Sequence, residues 1–252
     1  MLPCPVNVSM ILLPLALSSA GKVVAIEHYE GMAYEKDSGK LLYRESHWLH
    51  DGQRLVLYRC TNGKPFARKQ VMGTSAAPDF ELVDGRDGYR EGVRTRAGKR
   101  EVYSRASASS AENSRPIKDR DNQVIDAGFD TYVRQQWDEL ARSHRQRIAF
   151  LVPSRLQDMD FKISPMAGNA NSRRYGLALD AWYGGVVPSM TVTYSNADRS
   201  LLRFEGIGNI RTISGKYPTV RIEFPADKRS AATRADLDGA ANAPLVRSCL
   251  SS

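Results

Sequence analysis

Apolar and polar positions alternate along much of this chain, in short runs separated by turn-forming residues. Between Val24 and Tyr34 apolar or aromatic residues fall at alternate positions, and Lys36-Asp37-Ser38-Gly39 supplies a turn. Leu41 to Leu49 forms the next run, Asp51-Gly52 closes it, and Arg54 to Cys60 opens another. Runs of this length between Asp/Gly turns predict an antiparallel meander. The final third repeats the pattern: Met190, Val192 and Tyr194 alternate with threonines, Leu202 and Phe204 with Arg203 and Glu205, and Val220, Ile222 and Phe224 with Arg221 and Glu223. Each such strand has one apolar and one polar face. Gly206-Ile207-Gly208-Asn209 lies between two of these strand patterns, so it reads as a sheet corner and not as a dinucleotide-binding loop, which must open a helix.

One segment changes period. Phe129, Tyr132, Val133, Trp137, Leu140 and Ala141 recur at spacings of three and four, which predicts a single amphipathic helix, with Asp126 as its cap and Arg142 near its end. Ile148 to Val152 then reads as a buried strand stopped by Pro153. The expected fold class is α+β, mostly antiparallel, as one domain over residues 22–228. Within it, about 104–122 reads as a flexible basic and Ser-rich loop, because Ser104 to Ser110 is rich in small residues. Residues 229–252 read as a weakly ordered tail unless Cys249 ties them down.

The N-terminus differs from the rest. Val8 to Leu17 is almost wholly apolar and is followed by Ser18-Ser19-Ala20, which resembles a secretory signal peptide over residues 1–21. The run is about half the roughly 20 residues that a membrane-crossing helix needs. After removal of Cys4 with that segment, Cys60 and Cys249 would remain. In an oxidising compartment such a pair can form a disulfide; two unrelated thiols are the alternative.

Composition narrows the function classes without choosing one. The 252 residues carry 36 Lys and Arg against 28 Asp and Glu, a net charge of +8 that favours anionic surfaces. Residues 86–120 concentrate that excess, yet no helix-turn-helix, finger or RNP-like pattern accompanies it, so nucleic acid is not an expected partner. His47 and His50 are three apart, which on a strand puts them on opposite faces, and no joint metal site is expected. No G-x-S-x-G elbow occurs, and Asp158 and Asp160 read as a solvated strand face before they read as an acid/base pair. No catalytic residue, metal or cofactor is therefore assigned. Trp182 and Tyr183 precede a glycine pair and Pro188, a strand end and wide turn suited to rimming a pocket, although Trp182 filling the core is the simpler alternative.

Three stretches carry a resemblance: Val124 to Arg134, Phe150 to Leu156, and Leu201 to Arg211. Together they resemble an uncharacterised family of exported proteobacterial proteins, and the order of strands, helix and further strands is similar to the lipoprotein-carrier type of envelope fold. That likeness implies a strongly curved, half-barrel-like sheet with the amphipathic helix across its concave face. It further implies a non-enzymatic, soluble periplasmic protein that binds a lipid or other hydrophobic ligand, with Phe129, Val133, Trp137, Leu140, Trp182 and Tyr183 as the ligand-binding residues. The alternative is a cell-envelope structural or protein-interaction module, meeting an envelope protein or an anionic membrane surface.

Overall fold

The computed structural model describes residues 25–181 and 189–250. The expected signal segment, Trp182 and Tyr183 lie outside those residues. Among the described residues no helix is long and apolar enough to cross a membrane.

The alternating runs form one large, mostly antiparallel open sheet, not closed into a barrel. Strands β1 (Ile26–Glu35), β2 (Leu41–His50), β3 (Gln53–Arg59), β4 (Pro65–Met72), β5 (Asp79–Asp84), β6 (Arg90–Arg96), β7 (Lys99–Arg105) and β8 (Glu112–Pro116) make a meander in which each strand pairs with the next. The tight turn after β2 places Asp51 and Gly52 at φ 47° and 71°, the left-handed pair that Asp-Gly accepts most easily. Strand β9 (Gln123–Ile125) leads into helices α1 (Gly128–Gln135) and α2 (Trp137–Arg142) and pairs in parallel with β10 (Gln146–Val152). A second meander follows through β11 (Gln157–Asn169), β12 (Ser172–Leu179), β13 (Met190–Ser195), β14 (Leu201–Ile207) and β15 (Thr219–Glu223). β15 pairs with β1, which joins the two meanders as wings of one sheet, and β16 (Arg229–Ala232) extends along the other end of β1.

Three hydrophobic clusters hold this arrangement. The largest takes Val56, Tyr58, Phe66, Phe80 and Leu82 from the first wing and Ile125, Leu151, Val220 and Ile222 from the second. The wings also meet through the backbone: Ile125 N donates to Ala76 O beyond the end of β4 (3.0 Å), and the 3-10 turn Pro153–Arg155 lies against β6 and β7. A second cluster seats α1 and α2 on β10 to β13 through Val133, Trp137, Leu140, Ile148, Ile163 and Tyr194. The third lies on the opposite face of β1 to β3, where Ile26, Trp48, Leu55 and Leu57 are covered by Ala240 and Leu237 of α3 (Arg234–Asn242). β3 is therefore buried on both faces, which explains its unbroken apolar run from Leu55 to Tyr58.

Three expectations from sequence are corrected. The amphipathic helix is two helices, broken at Gln136 (φ −93°, ψ 18°), and two backbone carbonyls flanking the break accept from guanidiniums: Arg199 to Arg134 O and Arg173 to Trp137 O. Asp126 is not the cap; Ala127 occupies that position without a side-chain bond, while Asp126 sits at φ 46° with its carboxylate on Lys69. Part of the expected loop at 104–122 is the edge strand β8, whose side chains are all exposed, so no alternation marks it. The C-terminal segment, expected to be weakly ordered unless tied, is built into the fold. Thr233 and Asp236 form a capping box on α3, Val246 N donates to Pro65 O, and Cys249 is bonded to Cys60 with a Cα–Cα separation of 5.3 Å.

Candidate ligand-binding site

Four of the six residues expected to contact a ligand, Phe129, Val133, Trp137 and Leu140, lie on the two helices and pack on the second wing. Val133, Trp137 and Leu140 are buried against strands of the second wing, with Trp137 edge-on to Tyr194 at 6.3 Å, and Phe129 packs partly buried beside them. Burying each such side chain is worth about 1.5–3 kcal/mol, which is the ordinary role of an apolar helix stripe. The guanidiniums of Arg173 and Arg199 lie over the Trp137 ring at 4.4 and 5.3 Å. This part of the helix is spent on packing.

A cleft opens instead on the neighbouring face of α1. It encloses about 450 Å³ between the helix and the tips of two hairpins, the β2–β3 turn and the segment joining β4 to β5. Its walls are largely apolar, with Leu49, Val71, Pro78 and Ala127 among them. Gly128 lets the helix approach this closely, since a Cβ there would lie 2.1 Å from Ala76 O. The sequence signal for this wall was weak, because turn residues such as Gly52, Gly73 and Thr74 alternate with nothing.

Charged side chains also line the cleft, Glu27, Asp51, Arg54 and Arg134 among them. Arg54 Nη2 donates to Asp130 Oδ2 at 2.7 Å, and Arg134 Nε donates to Asp130 Oδ1 at 3.1 Å, so two guanidiniums share one carboxylate. Burial acts to raise the Asp130 pKa, but the two arginines outweigh it and hold the carboxyl below its usual range. Both arginines are held above their ordinary values: burial opposes this, and Tyr29 and Asp130 around Arg54, with Asp130 beside Arg134, overcome it. Arg54 and Arg134 both line the cleft, and Arg134 is the more exposed of the two.

A second polar constellation lies inside the first wing. His47, Val56, Lys69, Leu82 and Glu91 are register partners across five adjacent strands, so their side chains form one row. Strands about 4.8 Å apart separate alternate members by roughly 10 Å. Lys69 is 3% exposed, and its Nζ meets Asp126 Oδ1 at 2.6 Å. His47 Nε2 lies 3.0 Å from Glu45 Oε2; burial lowers the imidazole pKa despite that carboxylate. Glu91 accepts from Tyr89 OH at 2.6 Å, and Tyr217 OH lies 3.2 Å from Tyr89 OH. Burial pushes the Glu91 carboxyl up to about 7, against the Tyr89 hydrogen bond and the Lys69 charge. Histidine, lysine and glutamate are an acid/base repertoire, but here each is enclosed and partnered, an arrangement that fixes the fold. Sequence reading missed this row; its signal is polar residues standing in the apolar phase of β2, β4 and β6, as Glu45, His47, Lys69 and Glu91 do.

Asp158 accepts from Gln123 and Asp160 pairs with Arg120, so the two carboxylates have separate partners. Gly206 (φ 155°) lies in β14, where a Cβ would meet Met190 at 2.6 Å, and Asn209 donates to Tyr58 OH at 3.0 Å. Among the described residues no group of three or more His, Cys, Asp or Glu side chains is placed to hold a metal. No family model, curated protein or solved structure matches the chain. The site is therefore read from its own chemistry.

Proposed function

We propose that this protein is a non-enzymatic binding protein of the cell envelope, soluble in the periplasm, that takes a lipid or other hydrophobic small molecule into the cleft beside α1. The observation that carries the reading is the cleft itself: about 450 Å³, largely apolar, and set between a helix and two hairpin tips. Ligand pockets commonly enclose about 300–1,000 Å³ and combine apolar walls with a few placed polar groups. The wings share a core across the open sheet, which supports a curved, half-barrel-like sheet as the scaffold. Export is supported by the apolar run Val8 to Leu17 and by the bonded Cys60–Cys249 pair. The ligand seat differs from the one implied by resemblance, lying beside the helix stripe and not beneath it.

The alternative, an interaction module that meets anionic envelope components through residues 86–120, draws on the basic character of that segment. Its support is reduced by pairing within the fold: Arg86 is held by Asp84, Arg94 by Glu101 and Glu112, and Arg100 by Asp79. Dye displacement separates the two readings. An apolar fluorescent probe is expected to bind the mature protein and be displaced by medium-chain alcohols, with Thr131→Trp in the cleft wall abolishing binding. No saturable probe binding, or binding indifferent to Thr131→Trp in a variant that melts like wild type, would overturn the proposal.

A further inference from the structure

We infer that the cleft selects amphiphiles with an anionic head, a carboxylate or a phosphate monoester on an apolar tail, and that Arg134 is the residue that reads the head. This inference rests on the cleft being the ligand site. Of the other charged groups at the cleft, Glu27 is paired with Arg229 at 3.3 Å and Arg54 with Asp130 at 2.7 Å, and Asp51 Oδ2 lies 3.1 Å from His50 Nε2. Arg134 remains as the second cation on a carboxylate already engaged, and it lines the cleft.

Position and chemistry agree with that role. Thr131 and Arg134 are three residues apart on α1, so their side chains share a face, and both line the cleft. A guanidinium has five N–H donors, and Arg134 gives Nε to Asp130, which orients the group and leaves its remaining donors for a planar or tetrahedral anion. Arg54 is the more deeply buried of the two and is locked by the shorter bond, so it fixes Asp130 while Arg134 is the movable partner. An anionic head arriving at Arg134 would leave Asp130 still neutralised by Arg54. A cationic head would face Arg134 with its carboxylate already shared, and a neutral hydroxyl head would gain only a hydrogen bond without the opposite charge.

The test is calorimetric titration of the whole folded protein with laurate, dodecanol, dodecyltrimethylammonium and butyrate, at low and moderate salt. Laurate is expected to bind about tenfold or more tighter than dodecanol, a preference that charge-assisted hydrogen bonds supply and that weakens with salt. Arg134→Gln is expected to erase that preference, bringing laurate affinity down to that of dodecanol, while Arg134→Lys keeps a preference of reduced size. Thermal melting of each variant confirms that the fold is retained, as Arg54 continues to satisfy Asp130. Equal binding of laurate and dodecanol, or equal loss of both in Arg134→Gln, would overturn head selection while leaving the apolar cleft standing. Butyrate binding as tightly as laurate would make this a free-anion site and overturn the amphiphile inference. Absence of binding by all four would remove the cleft reading and this inference with it.

Discussion

Glu91 and Lys69 show how single residues set conditions on this fold. Glu91 titrates near 7 in the folded chain and near its ordinary 4.5 when unfolded, so the folded state binds the extra proton. Its contribution is fully present below the ordinary carboxylate range and is lost progressively as pH rises to and through about 7, by an amount on the order of 3 kcal/mol. His47, with its pKa lowered by burial, acts in the opposite sense, weakening the fold as pH falls below about 6.5. Urea midpoints of wild type are therefore expected to fall between pH 6 and 8.5, and Glu91→Gln, which keeps an acceptor for Tyr89, is expected to flatten that fall. An unchanged slope in the variant would contradict the assignment. At Lys69 the expectation is one of coupling. Lys69→Met alone leaves Asp126 uncompensated and costs about 3–5 kcal/mol, whereas Lys69→Met with Asp126→Asn recovers most of it, since Asn also tolerates the φ of 46° at that position. Additive losses in denaturant titrations would refute the pairing. The row was not read from the sequence: Lys69 stands two positions from both Ala67 and Val71, in the apolar phase of its strand, but only register aligns it with His47 and Glu91.

At the scale of elements, the strands were the legible part. Period-two runs identified β1, β13 and β15, because each buries one face more than the other, whereas β3, buried on both faces, reads as an unbroken apolar run. β8 was hidden for the same physical reason in reverse, since a strand with both faces exposed has no alternation, and its Arg115 and Pro116 suit a protected edge. The helix stripe was read correctly as apolar and wrongly as continuous: the break at Gln136 leaves the three- and four-residue spacing intact, and the Arg173 and Arg199 contacts beside it come from distant positions in the chain. Gly128 makes the element-level prediction. Replacing a helical glycine with alanine usually stabilises by about 1 kcal/mol, but here the new methyl would press on Ala76 O at 2.1 Å and Pro78 Cδ at 2.6 Å. Gly128→Ala is expected to lower the melting temperature and weaken probe binding together; a rise in melting temperature would show that α1 is not held this close to the β4–β5 segment.

For the whole molecule, two features join what the sheet leaves open. The wings meet through the shared core and the buried pairs Lys69–Asp126 and Arg54–Asp130, and the C-terminal segment crosses the opposite face to reach Cys60. A bond closing a loop of 189 residues stabilises by about 5 kcal/mol on the chain-entropy account, so Cys249→Ser is expected to lower the melting temperature by roughly 10 °C or more. A reductant should reproduce that drop in wild type and leave Cys249→Ser unmoved; a reductant effect in the variant would point away from the bond. The pairing of Cys60 with Cys249 was available from the sequence only as one of two alternatives, because sequence separation says nothing about whether two Cα atoms come within reach. The location of the cleft was not available at all, being the meeting of two turns and a helix. The most direct test of the central claim is photoaffinity labelling of the mature protein with a diazirine-bearing fatty acid, followed by peptide mapping. Saturable label on Leu49 to Arg54, Val71 to Pro78 and Ala127 to Gln135 is the predicted result. Label concentrated beneath Trp137 and Leu140, or no saturable label anywhere, would contradict the assignment of this cleft as the binding site.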